Sequence, residues 1–414
     1  MDTGLKKQRR TTIVLCGLMI LIVLGFCSAN KGLYLTAICD ALDVERTVFS
    51  LSTSCRYITT AIVNAMFGLL VAKFGTKRLI CGGFCAIVAA AMMCAVADSV
   101  VWFYVAEVFY GIGISLTGTG MVGCVVNRCC TKNKGTITGA ILCANGVGGA
   151  IAAQIVTPLI YNGDPFGYRG AYRLQWILVA ALLGAFLLLF REPRAEVEGP
   201  KQRKQGAGVP FAVVAKHPCF YGALVCIFFT GFCLQGITGI APAHMQDCGL
   251  LEEFVAAVSS VSLLALTGSK FICGVMNDRL GLRPTITISC AATVACFLSL
   301  AAVTDSGAGK GLAMCYAVLS SIALPLETVM LPLYARDLFG ERDFDKIMGL
   351  FISFNVAGYA VGTPFVNLGF DLFGSYHSVL LVTAGIMALV MVSLQFVITN
   401  AHKLKDSYSM EEAI

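Results

Sequence analysis

Long apolar stretches separated by short polar segments repeat along the whole chain. Each stretch approaches or exceeds the roughly 20 mostly apolar residues that an α-helix needs to cross a bilayer. Twelve such stretches fit, the first over 11–38 and the last over 376–399. They are too long and too continuously apolar for the strands of a transmembrane barrel. The pattern therefore predicts an all-α polytopic membrane protein with twelve transmembrane helices.

The longest polar segment lies in the middle of the chain, at 191–216, and divides six predicted helices from six. It is rich in Lys and Arg and contains three prolines. We therefore expect an N-terminal six-helix bundle over 1–190, a cytoplasmic linker over 191–216 and a C-terminal six-helix bundle over 217–400. A short cytoplasmic tail would follow over 401–414.

A short charged segment with regularly placed glycines occurs twice, between the second and third predicted helices of each half. The glycines and basic residues of the two copies are 206 positions apart. The first copy contains Gly68, Gly75, Lys77 and Arg78. The second copy contains Gly274, Asp278, Arg279, Gly281 and Arg283. The first copy lacks the acid and has Ala72 at that place. Internal repetition in an apolar chain is typical of secondary transporters, so the two bundles should be pseudo-symmetric.

Composition and charge support a membrane location and indicate an orientation. Only 13% of residues are charged, whereas soluble domains have about 25%. Most Lys and Arg residues fall in the segments that share a side with both termini, which predicts cytoplasmic termini in the cell (inner) membrane. The bases are scattered over loops without interleaved aromatics. We therefore expect the lipid bilayer as a partner, no nucleic acid, and a monomer.

Five ionisable residues lie inside the predicted helices, where a charge near the centre costs about 2.5–3.5 kcal/mol. They are Lys31, Arg56, Glu107, Lys270 and Glu327. Such residues usually face a cavity or a charged partner, so each is a candidate for function. Three bases against two acids leave a surplus of positive charge. An anionic substrate would supply the missing partner, and a carboxylate is the simplest choice.

Each of these residues also has a purely structural interpretation. The long stem of Lys31 could carry its charge to the outer interface. Arg56 and Glu107 have matching depths and could form an ion pair within the N-terminal half. Lys270 and Glu327 also share a depth, below the midplane, and could pair within the C-terminal half. The alternative for Lys270 is a direct role with the substrate or the coupling ion.

Uncharged polar residues give a weaker signal. Asn145, Gln235 and Asn355 lie in predicted helices and could bind a ligand, or could simply hydrogen-bond between helices. With four histidines and no Cys-x-x-Cys motif, the sequence predicts no metal site and no cofactor. No nucleophile, base and orienting group occur together, so we expect no catalytic residues and no enzymatic activity.

Two regions carry a resemblance to a known family. The second copy of the repeated segment follows Gly-x-x-x-Asp-Arg-x-Gly-x-Arg, which resembles the loop between the second and third helices in each half of major facilitator superfamily transporters. The region with Leu331-Pro332, Arg336-Asp337, Gly362-Thr363-Pro364 and Asp371-Leu372-Phe373-Gly374 is similar to helices 10 to 12 of the monocarboxylate transporter and oxalate/formate antiporter branch.

The resemblance implies alternating access, in which two six-helix bundles rock about a central site. It implies that Lys270, four residues before Gly274, corresponds to a carboxylate-binding base that is more usually arginine. Lys31 matches a lysine in the outer part of helix 1 of the monocarboxylate group. Asp278 and Arg279 would belong to a cytoplasmic gating latch, which the missing acid at Ala72 puts in doubt for the first copy.

These observations predict a secondary active transporter of a small organic anion, a mono- or dicarboxylate, coupled by proton symport or anion exchange. Lys31, Lys270 and Arg56 would hold the anion, and Glu107 or Glu327 would carry a proton. A proton-coupled exporter of amphipathic drugs or metabolites is an alternative. A membrane sensor or scaffold that does not transport is a second alternative.

Overall fold

The computed structural model describes residues 2–129, 134–190, 208–340 and 342–412. Within these ranges the regular secondary structure is helical, apart from one isolated backbone bridge between Gly208 and Gly340. Most of the predicted linker, residues 191–207, lies outside the described residues. The prediction of an all-α fold is confirmed.

Twelve helical regions of the described chain are long and apolar enough to cross a membrane, which confirms the predicted number. We number them spans 1 to 12 in chain order. Spans 1 to 6 are Gln8–Leu42, Arg46–Phe74, Thr76–Val96, Val100–Val126, Ile137–Ile160 and Tyr168–Leu189. Spans 7 to 12 are Pro218–Asp247, Glu252–Leu280, Leu282–Ala301, Gly307–Thr328, Lys346–Phe373 and His377–Tyr408.

The chain forms two compact units, which are described separately. Unit 1 contains spans 1 to 6 together with Leu251–Leu264, the first part of span 8. Unit 2 contains span 7, the rest of span 8 from Ala265, and spans 9 to 12. Unit 2 also contains a short helix before span 7, Phe211–Val214, and a helix after span 10, Met330–Phe339.

Span 1 is interrupted, which corrects the prediction of one continuous helix. An α-helix over Asp2–Ile20 changes to a π-helix over Leu21–Phe26 and then to a four-residue turn. A 3₁₀ helix over Lys31–Tyr34 and an α-helix over Leu35–Leu42 complete the span. In the π segment the amides bond five residues back, as from Cys27 to Ile22 over 3.0 Å. Such segments are frequent at functional sites.

Close backbone packing against span 5 accompanies this interruption. A Cβ atom built on Gly25 would lie 2.7 Å from the backbone nitrogen of Gly149. A Cβ atom on Gly148 would lie 2.2 Å from the carbonyl oxygen of Leu21. The amide of Asn30, which precedes the 3₁₀ helix, donates to the carbonyl of Gly149 over 2.8 Å. Small residues on both helices therefore bring the interrupted segment against span 5.

Span 10 is also interrupted, whereas the apolar pattern predicts one continuous helix for each span. The α-helix Gly307–Ala323 is followed by a short helical turn, Pro325–Thr328, and then by Met330–Phe339. Proline has no backbone N–H and its ring clashes with the preceding turn, so Pro325 accounts for the break. Glu327 lies within the short turn.

The repeated segment has the same backbone form in both units. Gly75 separates span 2 from span 3 with φ 75°, and Gly281 separates span 8 from span 9 with φ 84°. The base two residues later reaches the last span of its own unit in each case. Lys77 donates to a carbonyl of span 6 over 3.2 Å, and Arg283 donates to Thr399 of span 12 over 3.0 Å. The sequence repeat therefore corresponds to a structural repeat.

Candidate functional site

Three of the ionisable side chains converge inside unit 1, from spans 1, 2 and 4. The ammonium group of Lys31 donates a hydrogen bond to Oε1 of Glu107. The guanidinium of Arg56 faces the other oxygen, with Nε 3.6 Å from Oε2 of Glu107. One carboxylate is therefore shared by two bases. We call these three residues the basic cluster.

The basic cluster has a net positive charge and little contact with solvent. Arg56 is 5% exposed and Glu107 is 3% exposed, while the Lys31 side chain is 17% exposed. Within the described parts of the chain, Glu107 is the only carboxylate that contacts either base. Two positive charges against one negative charge leave a surplus of one. Burial makes an uncompensated charge costly, so the cluster favours an additional anion.

The cluster also has unused hydrogen-bonding capacity. Nη1 of Arg56 is buried and has no hydrogen-bond partner among the described residues. Oε2 of Glu107 is likewise buried without a hydrogen bond, because its 3.6 Å separation from Arg56 is too long for one. Buried polar atoms are normally satisfied, so a free guanidinium N–H at a positive site points to an acceptor from outside the chain.

Tight packing between spans 2 and 4 positions Arg56. A Cβ atom built on Gly111, four residues after Glu107, would lie 2.7 Å from the carbonyl oxygen of Arg56. The absence of a side chain at Gly111 lets span 4 approach span 2 at the level of the cluster. Lys31 enters from the 3₁₀ segment of span 1. The interruption of that span therefore contributes directly to the site.

Aromatic side chains surround the two bases. Nζ of Lys31 lies 3.9 Å from the centre of the Tyr110 ring, and the guanidinium carbon of Arg56 lies 5.0 Å from that of Tyr57. The Tyr110 hydroxyl donates to Oε1 of Gln175 over 2.9 Å, and Nε2 of Gln175 donates to the hydroxyl of Tyr34 over 2.9 Å. This buried network fixes Tyr110. We call Tyr57 and Tyr110, the rings beside the two bases, the aromatic wall.

The aromatic and amide residues of this network are not among the site residues predicted from the sequence. Gln175 is an amide within span 6, and it is almost fully buried. That pattern was a usable signal, because a buried amide requires partners. The tyrosines gave no comparable signal, since a tyrosine at a helical position is normally a packing residue.

The other two ionisable residues lie in unit 2. Lys270 is half-buried on span 8, and Glu327 is buried in the short turn of span 10. Within the described residues they form no ion pair with each other, although their depths suggested one. Glu327 hydrogen-bonds with Tyr359 of span 11, and its Oε1 atom is buried without a partner. Unit 2 therefore contains a buried carboxyl group with no neighbouring base.

The remaining predicted residues have different settings. Oδ1 of Asn145 on span 5 is buried without a hydrogen bond among the described residues. Nδ2 of Asn355 on span 11 makes a long 3.4 Å contact with the carbonyl of Ile227 on span 7, as an interhelical contact would. Asp278 and Arg279 are exposed at the end of span 8. No group of His, Cys, Asp or Glu residues in the described chain could hold a metal ion.

Sequence comparison relates the chain to a large group of membrane carriers. A sequence model described as "Major Facilitator Superfamily" matches residues 16–326 and 257–412. The "Uncharacterized MFS-type transporter YcxA" of Bacillus subtilis (strain 168) is 25% identical over 260 residues, which is 60% of this chain and 60% of that protein. The "Agnestins efflux protein AgnL12" of Paecilomyces divaricatus is 23% identical over 374 residues, 86% of this chain and 80% of that protein.

Solved structures share the fold at low sequence identity. A mutant of the nucleoside transporter NupG superposes with a TM-score of 0.78 at 14% identity, covering 92% of this chain and 99% of that chain. A bacterial homolog of the human lysosomal transporter Spinster superposes with a TM-score of 0.72 at 14% identity, covering 95% of this chain and 97% of that chain. Likeness at this identity concerns the fold alone.

Proposed function

Because this chain belongs to the major facilitator superfamily, we propose that it is a secondary active transporter of a small organic anion, a mono- or dicarboxylate. The observation that carries this proposal is the basic cluster, in which Lys31 and Arg56 share one carboxylate. The surplus positive charge and the free Nη1 of Arg56 support binding of a substrate carboxylate there. Lys270 of unit 2 is a separate candidate for binding an anion.

The aromatic wall supports a substrate with an apolar portion beside its carboxylate. Tyr57 and Tyr110 lie over the two bases, so a short organic chain could contact the rings while its carboxylate meets the charges. Asn145 on span 5 has a buried amide oxygen that could accept a hydrogen bond from a substrate hydroxyl. Hydroxy acids and short aliphatic acids are therefore the first substrates to examine.

Coupling to protons is proposed to involve Glu327 rather than Glu107. Glu107 already contacts two bases and serves as their shared countercharge. Glu327 is buried without a base, so a proton is its natural partner in an apolar setting. The alternative, anion exchange, would make no use of this carboxyl. We further propose that the protein functions as a monomer in the cell membrane with both termini in the cytoplasm, which the distribution of Lys and Arg supports.

The experiment is uptake of labelled formate, lactate, oxalate and succinate by proteoliposomes that contain the purified full-length protein. We expect saturable uptake of at least one of them, reduced tenfold or more by Arg56→Gln. Arg56→Lys keeps the charge but loses the planar fork, so it should retain part of the activity. Lys310→Ala removes an exposed base and should transport normally. Uptake by Arg56→Gln equal to that of the wild type would refute the role of the cluster.

The coupling mode is tested in the same vesicles. If protons are coupled through Glu327, Glu327→Gln should abolish uptake driven by an inward proton gradient but retain exchange against an internal anion. If the protein is an obligatory exchanger, the wild type should show uptake only when an anion is loaded inside. Proton-driven uptake that survives Glu327→Gln would exclude this residue as the proton carrier.

Export of amphipathic metabolites is a second candidate function. It is favoured by the similarity to a fungal protein named as an efflux protein, over 86% of this chain. In this case the aromatic wall would dominate recognition and the charges would matter less. Efflux of a neutral amphipathic dye from loaded proteoliposomes, unchanged by Arg56→Gln, would support export and count against the anion proposal.

A further inference from the structure

A cavity lies inside unit 2, with walls from spans 7, 9, 10, 11 and 12 and from the helix after span 10. About 370 Å³ of space between atoms lies within it, a figure that includes space open to solvent. A water-sized sphere can occupy about 30 Å³ of this space, more than the roughly 10–15 Å³ that one water needs, so the cavity admits a small molecule. Of the residues predicted to bind the transported anion, Asn355 alone is among the residues that line this cavity.

The chemistry of the walls excludes a charged occupant. Six of the nine lining side chains are aliphatic or methionine, and none of the nine is charged. The polar members are Thr230, Tyr334 and Asn355, all of them buried. An ion in such surroundings would lose its hydration without gaining a countercharge. An uncharged molecule with a mostly apolar body fits these walls.

One wall residue indicates where the polar end of that molecule lies. Tyr334 is 3% exposed, and its hydroxyl has no hydrogen-bond partner among the described residues. Buried tyrosine hydroxyls usually find a partner, so this group needs an explanation. Thr230 donates its own hydroxyl hydrogen to the carbonyl of Cys226 over 2.8 Å, which leaves the lone pairs of its oxygen free to accept. The cavity therefore presents both a donor and an acceptor.

We propose that this cavity is a second ligand site, distinct from the anion site, for a small uncharged molecule with a compact apolar body and one hydroxyl group. Tyr334 would hydrogen-bond to the hydroxyl group, and the aliphatic walls would hold the body. Leu326 and Met330 line the cavity and flank Glu327 in the interrupted part of span 10. An occupant would stabilise this interruption. Any effect of that stabilisation on transport rests on the proposed function, whereas the binding itself does not.

The test uses two probes that differ only in the hydroxyl group, 4-fluorophenol and fluorobenzene. Fluorine NMR would follow their binding to the purified full-length protein in lipid nanodiscs, with empty nanodiscs to subtract partition into lipid. We expect saturable binding of both probes, with the phenol about fivefold tighter, the equivalent of one hydrogen bond of about 1 kcal/mol. Tyr334→Phe should remove this difference and leave fluorobenzene binding unchanged. Ile286→Phe, which fills the cavity, should weaken both.

A matched tyrosine variant distinguishes a loss of ligand binding from a loss of stability. The Tyr376 hydroxyl is buried in the same unit but donates to Oδ1 of Asn367 over 2.7 Å, so Tyr376→Phe should lower the thermal midpoint without changing the preference for the phenol. Tyr334→Phe should not lower that midpoint. The proposal is overturned if neither probe binds saturably, or if Tyr334→Phe leaves the preference for the phenol intact. A midpoint that falls in Tyr334→Phe as in Tyr376→Phe would show that the Tyr334 hydroxyl already has a hydrogen-bond partner without the ligand, and would also overturn the proposal. Every outcome is a measurement of probe binding or of the thermal midpoint, so none depends on whether the protein transports an anion.

Discussion

Replacing Glu107 with glutamine removes the only carboxylate that contacts Lys31 and Arg56 in the described structure. Glutamine keeps the size of the side chain, so the change isolates the charge. Two buried bases would then have no countercharge. We expect this substitution to be among the most destabilising single changes of charge in the chain.

The magnitude follows from the geometry. Opposite unit charges at the 3.6 Å between Arg56 and Glu107 attract by about 4–5 kcal/mol at an effective dielectric constant of about 20. Removal of one partner from a buried pair typically costs about 3–5 kcal/mol, because the remaining charge stays buried. Lys31→Met should cost less, since Arg56 still faces Glu107. The double variant Lys31→Met/Glu107→Gln leaves one bare base instead of two and should be more stable than Glu107→Gln alone.

The assay is unfolding in mixed micelles of SDS and a mild detergent, followed with a fluorogenic maleimide. None of the 18 described cysteines forms a disulfide and ten of them are buried, so thiol exposure reports loss of structure. Glu253→Gln is the matched control, because Glu253 is exposed in the first turn of span 8, and it should change the free energy of unfolding by no more than about 0.5 kcal/mol. A transported carboxylate should stabilise Glu107→Gln more than the wild type.

The role of Glu107 as shared countercharge is refuted if Glu107→Gln lowers the free energy of unfolding no more than the control does. It is also refuted if the double variant is less stable than Glu107→Gln, because the two bases would then not repel each other without the shared acid. If the anion stabilises the wild type and Glu107→Gln equally, the basic cluster does not bind the substrate.

Three further predictions concern other parts of the chain. Gly362→Ala would place a Cβ atom 2.2 Å from a carbonyl oxygen of span 7 and should lower the free energy of unfolding by about 1–3 kcal/mol. Gly349→Ala on the same span would place its Cβ atom more than 4 Å from any neighbour and should not destabilise the protein. Thermal unfolding compares the two variants. Gly281→Ala should cost about 1–3 kcal/mol in the same assay, since its φ of 84° with ψ of 175° suits only glycine. The backbone N–H of Phe211 donates to the Asp343 carboxylate and holds its pKa below the ordinary value. The ionised carboxylate therefore stabilises the fold above the ordinary carboxyl pKa, and this contribution disappears as the pH falls through the lowered pKa. Asp343→Asn should therefore lower the thermal midpoint at pH 7 and have a smaller effect at pH 3.

The number and positions of the spans could be predicted because the bilayer imposes a strong rule on hydropathy. Every backbone group in the hydrocarbon must be satisfied internally, so each apolar stretch of sufficient length becomes a helix. The interruptions of spans 1 and 10 escaped this rule, since an average over a span hides Ser28 and Asn30 among apolar neighbours. Pro325 is a visible signal for the second break, because proline lacks the N–H that an uninterrupted helix requires there.

The candidate site was only partly accessible from the sequence. Counting residues from a helix end gives the depth of a charge, but depth alone does not give the direction in which a side chain points. Arg56 and Glu107 share a depth and face each other, whereas Lys270 and Glu327 share a depth and do not. The contact of Lys31 with Glu107 could not be derived either. Its span changes from π to 3₁₀ helix just before it, so the ordinary rotation per residue does not apply.

The assignment to the monocarboxylate and oxalate/formate branch stays a prediction, as does the orientation. The family itself is established by matches over most of the chain. Substrate preference within such a family depends on a few side chains in the site rather than on the fold. The basic cluster is therefore more informative about the substrate than any similarity in overall structure.

Equilibrium binding of a labelled carboxylate to the purified protein tests the role of the basic cluster most directly. We expect the wild type to bind one anion per chain saturably, Lys310→Ala to bind equally well, and Arg56→Gln to bind at least tenfold more weakly while it remains folded. Binding by Arg56→Gln as tight as that of the wild type would contradict an anion site built on Lys31, Arg56 and Glu107.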